Sequence, residues 1–364
     1  MATRSEWAAR GRLAVVQLLD RELAAPVVEL EARISDRVWG EYPRTIDPHL
    51  LTQARTDLES AGQVLRVESP TRGGSSVTLL LPNPTPRGKT RATEDAAARK
   101  RLLFARWRSW SRGTEHMPNL IGAGGELVVH QSLVAAAPYG YRLVQPRRGE
   151  VSTLYGQPVP GGPLDNAAWL SPMNQETQTP TGRTYLVPIE VKNVRHWLYP
   201  NHWEIYQLLH KSAGLANAHP EFPVLPMLIC RKAHYRTLQL AKDLGFLVFQ
   251  THNQYVQPSE RIRTDHFEEV RIELGLEDLL LTDQANPALV EWLSGAPHRE
   301  AGTYSTRWME FSRHQLVTFA QLREKRLRWQ PRIGYLEGLH AAVVEAYGEA
   351  GSWATSEDLS ILDD

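Results

Sequence analysis

Glu190 and Lys192 stand two residues apart in the stretch Val187-Pro188-Ile189-Glu190-Val191-Lys192-Asn193, and nowhere else in the chain does an acidic residue precede a lysine at that spacing. Leu186, Val187, Ile189 and Val191 around them are apolar and mostly β-branched, the composition of a buried strand. Side chains alternate faces along a strand, so this carboxylate and this ammonium lie side by side. Charges on a core-like strand need each other or a ligand. The pair is therefore either a plain ion pair at a sheet end or part of a site for a metal and a phosphate.

Three further side chains fit the second reading. Asp165 follows Gly-Gly-Pro-Leu before a strand candidate, Glu126 opens a helix after Ile-Gly-Ala-Gly-Gly, and Gln207 lies on the predicted helix 202–218. Hard carboxylate oxygens suit Mg²⁺, which lowers the pKa of bound water and clamps a phosphate. A lysine is a mobile point charge that can orient the attacking water and stabilise the developing oxyanion. Each residue also has a plainer reading. Asp165 suits a turn, Glu126 suits a helix start, and Gln207 suits an exposed helix face. Pro188 removes a ladder donor, so a bulge or a strand start is expected there. The long connection from Asp165 to Glu190 keeps Glu176 in reserve as a metal ligand.

The order of these residues resembles the PD-(D/E)XK nuclease superfamily, with the likeness covering roughly residues 119–255. The resemblance implies an α/β fold: a restriction-endonuclease-like mixed sheet flanked by helices. It implies Asp165, Glu190, Lys192, Glu126 and Gln207 as the catalytic set. Asp165, Glu190, Val191 and Glu126 would hold Mg²⁺, with Mn²⁺ able to substitute. The implied activity is endonucleolytic hydrolysis of DNA, with restriction or phage defence as a role. Double-strand cutting needs two active sites, so a homodimer is the matching expectation.

The elements before this region resemble a winged helix-turn-helix. Helical periodicity over residues 10–23 and from Val27 onward, and an Asp47-Pro48 helix start, precede two strand candidates joined by Pro-Thr-Arg-Gly-Gly. Such a fold reads DNA through its third helix and wing, which makes Arg44, His49, Gln53 and Arg72 candidate contacts. Arg231 and Lys232, just after a strand, are candidate phosphate contacts. Against DNA reading, the third helix sets Arg55 against Asp47, Asp57 and Glu59. The expected division is a winged-helix-like domain over 1–86, a basic linker helix over 87–118, the nuclease-like domain over 119–258 and a helical region over 259–364. In that last region Arg307–Arg328 is the longest periodic piece.

Charge and composition narrow the alternatives. The net charge is zero, but residues 87–118 hold nine basic against three acidic residues, while 261–364 hold eleven against eighteen. The basic helix reads as a solvated face or as the lining of a phosphate channel. A single cysteine, Cys230, excludes an internal disulfide and cysteine-built metal sites. The five histidines His196, His202, His210, His219 and His234 read as surface or packing residues, and Trp197, Tyr199 and Trp203 as core aromatics or base-stacking platforms. No apolar run reaches membrane-spanning length and no signal peptide is visible, so a cytoplasmic protein without membrane partners is expected. The competing functions are a non-catalytic winged-helix DNA-binding protein with a decayed nuclease domain, and a nuclease for branched DNA.

Overall fold

The computed structural model describes residues 3–71, 76–115, 117–147, 149–174, 177 and 179–354. In chain order its elements begin with α1 (Arg4–Glu22), β1 (Ala25–Pro26), α2 (Val27–Leu30, continued by a π turn over Glu31–Ser35) and α3 (Pro48–Ser60). Next come β2 (Val64–Pro70), β3 (Ser76–Pro82), α4 (Thr90–Arg112) and α5 (Leu120–Ala135). A run of strands follows: β4 (Tyr141–Leu143), β5 (Thr153–Leu154), β6 (Gln157–Pro158), β7 (Asn166–Leu170) and β8 (Tyr185–Lys192). After these lie α6 (Trp203–Ala218), β9 (Met227–Cys230), α7 (Tyr235–Leu244) and β10 (Leu247–Gln250). The chain then turns helical in α8 (Thr264–Glu273), α9 (Pro287–Phe311), α10 (Leu316–Leu322) and α11 (Trp329–Tyr347). No described helix is long and apolar enough to cross a membrane.

Two compact units result, Met1–Leu120 with Pro258–Leu279 and Ile121–Gln257 with Leu280–Ser356. The boundaries differ from the sequence expectation, because the helical region after residue 258 is shared between both units rather than standing apart.

In the first unit a capping box starts α1: Thr3 accepts from the Glu6 amide and the Glu6 carboxylate accepts from the Thr3 amide. Leu18, Leu30, Ile34, Ile46, Leu51 and Leu80 form the centre of its core. Strands β1, β3 and β2 make an antiparallel sheet in that order. The basic helix is neither a solvated face nor an open channel along its whole length. Arg99 pairs with Glu269 and Glu273, and Arg106 with Glu269, all on α8. Lys100 is buried, reaching Glu29 at 2.7 Å, Glu22 at 3.1 Å and the Glu273 carbonyl at 2.8 Å. The basic excess of α4 and part of the later acidic excess neutralise each other.

The second unit is a mixed five-stranded sheet in the order β10-β9-β8-β7-β4. Strand β7 runs antiparallel to both its neighbours, β4 and β8, while β8, β9 and β10 run parallel. Helices lie against the sheet, with α6 against β8 and both α7 and α9 against β10. Val187 and Ile189 of β8 enter a core with Val129, Leu133, Leu170, Met227, Ile229 and Leu289. The opposite face of β8, bearing Glu190 and Lys192, looks toward α6, as their bonds to that helix show.

Three local expectations change. Strand β8 neither begins nor bulges at Pro188, since its register with β7 is unbroken from Leu170↔Tyr185 to Asn166↔Ile189. Toward β9 the offset of Leu186↔Val224 equals that of Ile189↔Met227, so the register runs through Pro188 unbroken on that side too. The glycine-rich lead-in is part of α5 rather than a loop before it. A Cβ on Gly125 would stand 2.5 Å from the Asn193 Cβ, and one on Gly124 2.7 Å from the Gln257 amide. These glycines let the helix approach backbone closely, which outweighs their poor helix propensity. The periodic piece Arg307–Arg328 is broken by a 3₁₀ turn at Ser312–His314 and again between α10 and α11.

Candidate active site

The side chains around β8 meet at the ends of β7 and β8, beside α6. Asp165 immediately precedes β7, where the register continues to bring it level with Glu190. Its Oδ2 accepts from the Val191 amide at 2.7 Å, which ties it to the middle of the Glu-Val-Lys run. Strand alternation then sets Glu190 and Lys192 on the α6 face, and Lys192 Nζ donates to Glu190 Oε1 at 2.7 Å.

From α6, Gln207 Oε1 accepts from Lys192 Nζ at 2.7 Å. One turn further, Lys211 donates to Glu190 Oε2 at 2.9 Å and to the Pro163 carbonyl at 2.5 Å. Glu190, 2% exposed, therefore has an ammonium on each oxygen. Lys211 was not anticipated from the sequence. Its signal was its position four residues after Gln207, which puts both on one helix face.

Glu126 is brought near from α5. The His130 ring and the Asn166 side chain share a 3.3 Å hydrogen bond, and Asn166 reaches the Glu126 carbonyl at 3.5 Å. The exit of β8 is pinned by Asn193, whose amide donates to the carbonyls of Ile121 and Tyr255 at 2.5 and 2.7 Å and whose Oδ1 accepts from the Tyr255 amide at 3.0 Å. The backbone on either side of the charged pair is thus held rigidly.

The electrostatics follow from this crowding. Burial first, and then the nearby Glu190 and Glu126 carboxylates, raise the Asp165 pKa from 3.8 to about 7, against the opposing pull of Lys192 and the Val191 amide. Burial disfavours the Lys192 ammonium, but Glu190 and Asp165 outweigh it and hold its pKa above the ordinary lysine value. As it stands, Lys192 is a cation and not a base.

The donor set fits a hard divalent cation. Three carboxylates converge, and burial together with the charge of the other two resists ionisation of Asp165, a cost that a cation relieves. Asp165, Glu190 and Val191 would hold such an ion, with Glu126 reaching its waters. Glu176 and Arg72 lie outside the described residues.

The expected nucleic-acid contacts divide. Arg44 is exposed, with its guanidinium 4.6 Å from the Trp7 ring centre. Gln53 is half-buried, and Lys232 lies over Trp197 at 4.9 Å. His49 and Arg231, 5% and 1% exposed, do not present themselves to a phosphate backbone. The Arg231 guanidinium is occupied by the carbonyls of Val194 and Arg195, so it braces the loop after β8. Tyr199 is a core aromatic stacked on His234 at 4.5 Å. Burial pushes the Cys230 thiol up to about 12, which leaves it unreactive.

No family model, curated protein or solved structure matches the chain.

Proposed function

We propose that this protein is a metal-dependent endonuclease of the PD-(D/E)XK type that hydrolyses phosphodiester bonds in DNA. The observation that carries this reading is the convergence of Asp165, Glu190 and Lys192 at one end of a β7–β8 hairpin, with Gln207 on Lys192. An ordinary surface ion pair needs neither the third carboxylate nor the buried second lysine. The succession of α5, the antiparallel β4-β7-β8 strands, α6 and the parallel β9 supports a restriction-endonuclease-like core. The three helices and small antiparallel sheet of the first unit support a winged-helix-like module.

Bound divalent metal supplies an acidified water and neutralises phosphoryl charge. The protein's residues do the positioning. Lys211 and Lys192 fix the Glu190 carboxylate from both sides. Gln207 holds the Lys192 ammonium where it can meet a phosphoryl oxygen and stabilise the charge that builds on it. Asp165 gains its charge only as pH rises through about 7. Restriction of foreign DNA is the role this chemistry suits best, and Mg²⁺ is the ion, with Mn²⁺ as substitute.

The decisive test is nicking of supercoiled plasmid with Mg²⁺ or Mn²⁺ by wild type, Lys192→Ala and Asp165→Asn. Loss of a positioned charge-stabilising group costs on the order of 100- to 1,000-fold. Cleavage by wild type that both substitutions abolish is the expected result. Absence of cleavage on plasmid, branched and single-stranded DNA alike, with binding retained, would instead identify a DNA-binding protein.

A further inference from the structure

Beside the proposed nuclease centre lies a second group of ligating side chains that it does not use. His196 lies in the connection from β8 to α6, His202 is the N-cap of α6 and Glu204 sits in its first turn. One ligand atom from each lies within 4.8 Å of the other two. His196 Nε2 and Glu204 Oε1 are 3.5 Å apart, and the two imidazole rings meet edge to face at 5.1 Å.

The group is built rather than incidental. The Nδ1 of His202 is buried with no hydrogen-bond partner, an arrangement that costs free energy unless something takes it up. Glu204 retains 13% side-chain exposure and His196 45%, so an ion has a route in from the His196 side.

We infer that His196, His202 and Glu204 form a binding site for a borderline transition-metal cation, Zn²⁺ in the first instance, separate from the carboxylate centre. Two imidazoles and one carboxylate are a donor set for Zn²⁺ and not for Mg²⁺, which takes oxygen ligands. Zinc–nitrogen distances of about 2.0–2.1 Å require the three ligand atoms to draw together slightly, and water completes a tetrahedron. The half-exposed His196 side chain supplies that movement by rotation about its own bonds, while its backbone stays braced. Arg332 also faces His202, but its guanidinium is held by the Leu322 and Glu324 carbonyls at 2.7 Å each. Bound metal would clamp the β8–α6 connection onto the helix that carries Gln207 and Lys211. The inference stands whether or not the chain cleaves DNA.

The test is a Zn²⁺ titration of the full chain, stripped of metal and held in excess Mg²⁺, against a chromophoric chelator, with Co²⁺ absorption as a second readout. Wild type, His196→Ala, His202→Ala and Asp165→Asn are compared after their circular dichroism is shown to agree. His196→Ala alters a half-exposed side chain and keeps the test open if His202→Ala does not fold. One equivalent of Zn²⁺ is expected, weakened in the histidine variants by more than the roughly tenfold that even outer-shell changes cost, and unchanged in Asp165→Asn. No Zn²⁺ uptake, uptake lost only in Asp165→Asn, or uptake indifferent to all three substitutions would each overturn the site.

Discussion

Asp165→Asn separates the carboxylate cluster from an ordinary set of ion pairs by its pH dependence. Asparagine keeps an oxygen to accept from the Val191 amide but cannot titrate. In the folded protein the Asp165 pKa is about 7 against an ordinary 3.8. Below pH 3.8 the group is protonated in both folded and unfolded chains. Between the two values the folded state holds a proton that the unfolded state has released, so stability falls as pH rises and the loss is complete above about 7. At 1.36 kcal/mol per tenfold ratio, the interval amounts to about 4 kcal/mol. Urea unfolding of both proteins at pH 4 to 8, followed by tryptophan fluorescence, gives the difference directly. The substituted protein should gain on wild type by about 4 kcal/mol across that range, and Mg²⁺ at pH 8 should close part of the gap by stabilising wild type alone. A stability difference that stays flat with pH would refute the buried, crowded setting of Asp165 on which the metal site rests.

Other substitutions probe the supports. Lys211→Met strips Glu190 of one of its two ammonium partners in a buried place, and should cost about 3 kcal/mol in urea unfolding while sharply lowering any nicking rate. Gly125→Ala forces a Cβ into contact with Asn193 and should cost about 1–3 kcal/mol, read as a lower midpoint of thermal unfolding. Lys100→Met leaves Glu29 with Arg33 as its remaining cationic partner in the first unit, and a loss of about 3 kcal/mol is expected from calorimetry.

Much of the sheet was legible because its signals are local. The β-branched run at Tyr185–Lys192 and the apolar run at Met227–Cys230 are strands, and strict alternation correctly sets Glu190 and Lys192 on one face. The features that escaped depend on distant partners. Gly124 and Gly125 read as a loop because nothing nearby reveals that Asn193 and Gln257 crowd the helix there. Arg231 read as a phosphate contact and Lys211 drew no reading, since a polar side chain does not announce the carbonyl or carboxylate that buries it. Periodicity over Arg307–Arg328 persisted through the helix ends because Phe311 of α9 and Phe319 and Leu322 of α10 are all buried.

The return of residues 258–279 to the first unit has a consequence for biosynthesis and inheritance. On the ribosome, α1 to α4 emerge early but must wait for α8, because Arg99, Arg106 and Trp110 find Glu269, Glu273 and Phe267 only there. The five strands of the mixed sheet are all synthesised before that helix appears. The amino-terminal unit therefore finishes folding after the central sheet has become available, the reverse of simple vectorial order. For the same reason a single recombination crossover, or one proteolytic cut after Leu120, cannot transfer or release that unit intact. A lineage that exchanged one unit for another would have to carry both of its segments together.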